Sequence, residues 1–143
     1  RYRVHFLEQD DTEMSLFDGV EAGLDALISD GYQLAVATGK ARRGLARVLS
    51  ETGLEDRFSV TRCSDEAVSK PHPRMVHDIL EKTGISASRA IVVGDTVYDI
   101  QMAHNADADA LAVCYGVHER ERLIAERPVD CVVDFEAVID WFS

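Results

Sequence analysis

The chain has 143 residues, enough for one domain whose core removes most of its apolar surface from water. Apolar residues make up 46% and charged residues 29%, a mix that argues against disorder. Acidic residues outnumber basic ones 26 to 15, and the resulting formal charge of −11 repels nucleic-acid phosphates and anionic membranes, so neither is expected as a partner.

Elements follow one another in a regular alternation. Val20, Leu24, Leu27 and Ile28 share one face of a helix that Asp30-Gly31 closes. Gln33 to Ala37 is a short strand ending at Thr38-Gly39. Leu45, Val48 and Leu49 mark a second helix, which stops at Gly53, and Phe58 to Arg62 reads as a strand. Met75, Val76, Ile79 and Leu80 mark a third helix, which stops at Gly84. Ala90 to Val93 is an almost wholly apolar strand running into Gly94-Asp95, followed by a short helix carrying Val97, Ile100 and Ala103. Ala110 to Cys114 and Cys131 to Val133 are further strands, separated by a helix around Leu123 and Ile124. Phe135, Val138, Ile139 and Phe142 define a last helix. Strands without polar alternation are buried on both faces, so this order predicts a parallel sheet in a three-layer α/β fold. The apolar runs are too short to span a bilayer. The three cysteines, Cys63, Cys114 and Cys131, have no C-x-x-C spacing, and Cys114 and Cys131 sit inside apolar runs. They predict buried free thiols and a reducing, cytoplasmic setting.

In such sheets the ligand crevice forms from the loops at the strands' carboxyl ends. Thr38-Gly39 offers a hydroxyl and backbone N–H groups before a helix, which suits phosphate oxygens, although Thr-Gly is also an ordinary turn. Lys70 stands in Ser69-Lys70-Pro71-His72-Pro73, where two prolines restrict the backbone; a solvated lysine is the plainer reading. His72 and His77 read as surface or capping residues. Asp95 and Asp99 are four apart at a helix start, and two hard carboxylates converging on one crevice suit Mg²⁺. The alternative is an N-cap aspartate followed by a solvent-facing one. Lys40, Arg42 and Arg43 form a basic cluster suited to an anionic substrate or, equally, to an exposed helix face.

The order strand-Thr-Gly, then Lys-Pro, then strand-Gly-Asp-x-x-x-Asp resembles the second, third and fourth motifs of the haloacid dehalogenase superfamily, most closely its phosphoglycolate-phosphatase-like members. Leu16-Phe17-Asp18-Gly19-Val20, the stretch from Ala37 to Leu45, and Asn105-Ala106 are similar too. The resemblance implies a Rossmann-like core with a Mg²⁺-dependent phosphate monoesterase activity on a small phosphorylated metabolite. An aspartate on the first strand would form an aspartyl-phosphate, which water then hydrolyses. Thr38 and the Gly39 amide would hold a phosphate oxygen. Lys70 would neutralise the nucleophile and the transferring group, Asp95 would bind the metal directly, and Asp99 would support it from behind that ligand or through water.

The first motif of that family, an apolar strand followed by D-x-D-G-T, is absent. Val4 to Thr12 places Glu8 where the nucleophile belongs and lacks the glycine. Residues 1–15 are therefore expected to be the tail of a cap-domain helix, over Tyr2 to Met14 with Phe6 and Leu7 facing the core, and residues 16–143 the hydrolase core. That reading leaves the central strand and most of the cap outside this chain and two strand edges unpaired. A partner copy or a preceding segment is then expected to complete the sheet, unless Arg3 to Leu7 fills the gap, and the chain alone is expected to be inactive. Asp107 replaces the usual glycine after Asn105-Ala106, which an aspartate tolerates better than most residues. Among rival readings, phospho-accepting receivers place their acids before the threonine and lysine, the reverse of the order here. No P-loop or G-x-G-x-x-G occurs. A non-catalytic fragment or interaction module on the same fold is the alternative.

Overall fold

In the computed structural model of the chain, residues 4–7, 20–66, 70–114 and 120–142 are described. The elements run β1 (Val4–Leu7), α1 (Val20–Ser29), β2 (Gln33–Ala37), α2 (Arg42–Thr52), β3 (Val60–Arg62), α3 (Arg74–Thr83), β4 (Ala90–Gly94), α4 (Val97–Asn105), β5 (Asp109–Val113), α5 (Arg120–Ala125), β6 (Asp130–Val132) and α6 (Phe135–Phe142). The strands form one 6-stranded parallel sheet in the order β3-β2-β1-β4-β5-β6.

Alternate residues of the buried strands feed two cores. Leu34, Val36, Ile91, Val93, Leu111 and Val113 pack with Leu24 and Leu27 of α1, Leu45 and Leu49 of α2, and Val138 and Phe142 of α6. Ala35, Ala37, Val92, Ala110 and Ala112 face the other way, against Met75, Val76 and Ile79 of α3, Ile100 and Ala103 of α4, and Leu123 of α5. Two helical layers thus cover both faces, as continuous apolar strands require. Gly53 and Gly84 close α2 and α3 at φ 69° and 71°, the left-handed turn that favours glycine. Asp107 takes the same turn after α4 at φ 63°, as expected of an aspartate in that place.

The chain's start departs from expectation. Val4–Leu7 is extended, where the sequence reading expects the tail of a helix. It occupies the central slot, paired with Gln33–Val36 on one side and Ala90–Val93 on the other. Filling that slot satisfies backbone groups on two strand edges at once, a gain no isolated helical turn matches. The sheet is therefore continuous within the chain, and the expected need for a partner strand does not arise. Residues 8–19, Leu16 to Gly19 among them, lie outside the described residues. Strand bounds also shift, and β5 runs one residue early, over Asp109–Val113. β3 begins at Val60, after a 3-10 turn over Glu55–Arg57 and an extended Phe58 whose side chain lies in the core. β6 begins one residue early, at Asp130, and Val133 is exposed beyond its end.

Candidate active site

The carboxyl ends of β2 and β4 flank the end of β1, so Thr38 and Asp95 stand two strand spacings apart, roughly 10 Å, on one rim. This is where the strand order reverses direction, the usual place for a ligand crevice.

Thr38 is fully buried. Its N–H donates to Arg62 O at 3.0 Å, and its Oγ1 accepts the Lys40 N–H at 3.1 Å.

The apolar run of β4 ends at Gly94, and the chain turns at once into α4. Thr96 is the N-cap, with extended dihedrals. Its Oγ1 accepts the Asp99 N–H at 3.3 Å, and Asp99 Oδ2 accepts the Thr96 N–H at 3.1 Å. Thr96 Oγ1 also lies 2.9 Å from Asp99 Oδ2. Such a reciprocal box satisfies two of the donors a helix start leaves open. Asp99 has 0% exposure, and its second oxygen accepts from Lys70 Nζ at 2.6 Å. The lysine side chain is 10% exposed, so this is a nearly buried, charge-assisted pair. The Lys70–Pro71 peptide is cis, and Asn105 at the end of α4 donates from Nδ2 to Pro71 O at 2.9 Å. The two ends of one helix thus grip the lysine segment. Gly94 makes the fit possible, because an added Cβ would run into the Asp99 side chain, 2.5 Å from its Cγ and Oδ2.

The reading of Asp95 as an N-cap with a solvent-facing Asp99 therefore fails on both counts. Of the two carboxylates that suit a metal by their spacing, Asp99 is engaged by protein donors. Both of its oxygens already accept hydrogen bonds, Oδ1 from Lys70 and Oδ2 from Thr96. Asp95, half-buried at the rim, is the carboxylate that can meet a hydrated cation. Among the described residues no group of three His, Cys, Asp or Glu side chains could hold a metal. A Mg²⁺ ion that keeps several waters and completes its shell from substrate phosphate needs only one or two carboxylates, so the donor set fits that mode of binding.

The basic cluster divides. Arg42 is not available to a substrate. Its Nε and Nη2 reach Glu66 at 2.9 and 2.7 Å, and Nη1 and Nη2 reach Thr61 Oγ1 and O at 2.6 and 3.0 Å. Glu66 is fixed in turn by the Cys63 N–H at 3.0 Å. The hydrogen bond from Arg42 holds the Glu66 carboxyl below the usual carboxylate range, and Glu66 raises the Arg42 guanidinium in return. Arg42 is a clamp between α2 and the segment after β3. Lys40 is half-buried and Arg43 exposed; neither forms an ion pair among the described residues, so these two remain as cations near Thr38. His72 Nδ1 accepts the Arg74 N–H at 3.1 Å, and His77 is exposed, which agrees with capping and surface roles. Sequence reasoning missed Thr96 and gave Asn105 no task. The T-x-x-D spacing is a capping-box signal that points to Thr96; nothing local marks Asn105 as the anchor of a loop 34 residues upstream.

A rim of this kind on a doubly wound sheet defines a class, and comparison with known proteins names it. Residues 1–113 match the family of haloacid dehalogenase-like hydrolases, and the chain belongs to that family. It is 36% identical over 125 residues to a probable phosphatase, IndB, of Dickeya dadantii, covering 87% of this chain and 54% of that one. It is 33% identical to the phosphoglycolate phosphatase of Pectobacterium atrosepticum, over 94% of this chain and 57% of the other. Among solved structures, a predicted phosphoglycolate phosphatase from Haemophilus somnus superposes with a TM-score of 0.81 at 26% identity, covering 89% and 57%. A HAD-superfamily hydrolase from Geobacter sulfurreducens shares the fold over 99% of this chain and 100% of its own, with a TM-score of 0.80 at 16% identity. The chain spans about half the length of the curated relatives it matches. Among the described residues no helix is long and apolar enough to cross a membrane.

Proposed function

We propose that the polypeptide to which this chain belongs hydrolyses phosphate monoesters of small metabolites, phosphoglycolate among the candidates, with Mg²⁺ as cofactor and an aspartyl-phosphate intermediate, in a reducing, cytoplasmic setting. The observation that carries this reading is the nearly buried Lys70–Asp99 pair beneath the end of β4 that leads to Asp95, with Thr38 following β2 on the same edge of the sheet. Phosphoryl transfer asks a protein mainly for positioning and for positive charge that does not have to reorganise. Asp99 and the Thr96 cap fix the lysine, so its ammonium meets the substrate in one orientation. Thr38 donates its hydroxyl proton to a phosphate oxygen, and the Gly39 amide assists. Lys40 and Arg43 attract the anionic substrate to a chain that is otherwise strongly acidic. Asp95 would hold the metal ion, which when bound neutralises phosphate charge.

The nucleophile is the one role no described residue fills. In the first form of the proposal it lies in a segment outside this sequence. A second form has a specific observation behind it. Val4–Leu7 already occupies the central strand, and Glu8 and Asp10 follow it in sequence. Hydrolysis of an aryl phosphate with and without Mg²⁺ separates the two. A silent chain and an active longer parent support the first, with Asp95→Asn abolishing the parent's Mg²⁺-dependent turnover. Turnover by the chain alone supports the second. If both stay silent with Mg²⁺, the hydrolase reading gives way to a non-catalytic module on the same fold.

A further inference from the structure

Cys114 and Cys131 take no part in the rim chemistry, and their setting differs from that of Cys63, which is sealed in the core after β3. Cys131 pairs with Ala112 in the parallel β5–β6 ladder, and the Cys114 N–H extends the ladder by donating to Val132 O at 2.9 Å. Residues two apart on a strand share a face, so both thiols lean on the same apolar cluster. The Arg120 guanidinium closes over them. Its Nη1 lies 3.6 Å from Cys114 Sγ and 3.5 Å from Cys131 O. A cavity of about 210 Å³, lined by Arg120, Ile124, Pro128, Asp130 and Cys131, opens beside the pair. Burial pushes the Cys131 thiol up, the adjacent Cys114 sulfur adds to this, and Arg120 pulls the other way.

We infer that Cys114 and Cys131 form a peroxide-reactive thiol pair, in which Cys114 is the attacking sulfur and Cys131 the resolving one. The Arg120 guanidinium aims a donor at Cys114 Sγ and at no other thiol among the described residues, which singles out that sulfur as the attacking one. Cys131 lines the cavity beside it and supplies the resolving thiol. Cys114 S⁻ attacks one oxygen of hydrogen peroxide and the O–O bond breaks. The products are Cys114–SOH and hydroxide, which takes a proton and leaves as water. Cys131 sulfur then attacks the sulfenic sulfur and the S–O bond breaks. The thiol proton leaves with that oxygen as a second water. Peroxide gains two electrons and the thiols lose two, ending as a disulfide.

The ladder sets the α-carbons one diagonal apart, roughly 8 Å from a strand spacing of about 4.8 Å and a two-residue rise of about 6.6 Å. A disulfide needs about 5.5–6 Å. Among the described residues Cys131 lies on a three-residue edge strand bonded only to β5, and the cross-link requires that strand to shift by about 2 Å. The inference stands independently of the phosphatase reading.

Its test is intact-mass and non-reducing peptide analysis of the reduced chain after hydrogen peroxide, with free thiols then alkylated. The expected result is a loss of about 2 Da, two hydrogens, with a Cys114–Cys131 cross-linked peptide. Of the three free thiols, Cys63 alone should remain alkylated. Cys131→Ser should leave a sulfenic acid on Cys114 that dimedone traps, Cys114→Ser should leave Cys131 unoxidised, and Arg120→Met should slow thiol loss roughly tenfold. Oxygen adducts without a cross-link, disulfide-linked dimers, loss of Cys63, or rates indifferent to Arg120 would overturn it.

Discussion

Replacing Asp99 with Asn tests whether the rim is built around a buried charge pair. The amide is isosteric but carries no charge, and its two ends cannot both accept. If its oxygen faces Thr96, where the N–H at 3.1 Å and the hydroxyl at 2.9 Å converge, its NH₂ faces the Lys70 ammonium, a donor against a donor. If it flips, Lys70 is satisfied and the cap of α4 is lost. Breaking a fully buried pair costs about 3–5 kcal/mol, and the 10% exposure of Lys70 lets some water reach it, which places the expectation near 3 kcal/mol. For a chain of this size that is about 9 °C in Tm, or about 1.5 M in urea midpoint at an m-value of about 2 kcal/mol/M. Urea unfolding followed by circular dichroism measures it. The mechanism also makes a sharper demand. The penalty comes from stranding the ammonium, so adding Lys70→Met to the Asp99→Asn variant should recover at least about 1.5 kcal/mol in a double-mutant cycle. A cost for Asp99→Asn below about 0.5 kcal/mol, or strict additivity of the two substitutions, would refute the reasoning.

Other expectations follow from the same geometry. Gly94→Ala drives a methyl group into the Asp99 side chain, so the buried cap must shift; a loss of about 1–3 kcal/mol in urea unfolding is expected, with Gly39→Ala, which meets nothing within 4 Å, as the control. Asn105→Ala removes the bond to Pro71 O and should cost about 1 kcal/mol, coupled to Lys70→Met in a cycle because both act on one loop. Glu66 is held below its unfolded value by Arg42, so its contribution is present above the unfolded pKa and is lost as pH falls through the lower, folded value. Stability profiles of wild type and Glu66→Gln should therefore differ by about 1 kcal/mol near neutrality and converge in acid; parallel curves down to low pH would contradict the clamp.

What the sequence disclosed and what it hid have different physical origins. Thr38 and Asp95 were legible because each directly follows a strand apolar enough to be buried on both faces, and topology alone sends such residues to one rim. Arg42 was not. Lys40, Arg42 and Arg43 together look like an anion site wherever their counter-charges are distant in sequence, and Glu66 lies 24 positions beyond Arg42. Nothing local distinguishes Arg42, already forked onto a carboxylate, from Arg43 beside it. Val4–Leu7 was ambiguous for another reason. Four apolar or aromatic residues satisfy helical and extended periodicity alike, and the deciding term, two strand edges in need of partners, belongs to the assembled sheet.

The two acids of Gly94-Asp-x-x-x-Asp show how one spacing serves two purposes. Read on a helix, four residues apart means the same face, which suggested two ligands for one metal. The helix begins one residue later than that reading assumes, at a Thr96 cap, so Asp95 stays on the strand end while Asp99 turns inward beneath Gly94. Glycine is what allows the first turn of α4 to close onto the strand. With any side chain at position 94 the carboxylate would be pushed outward, and the lysine would lose the partner that orients it. The motif therefore encodes one acid at the surface of the crevice and one below it, and the glycine between strand and helix decides which is which.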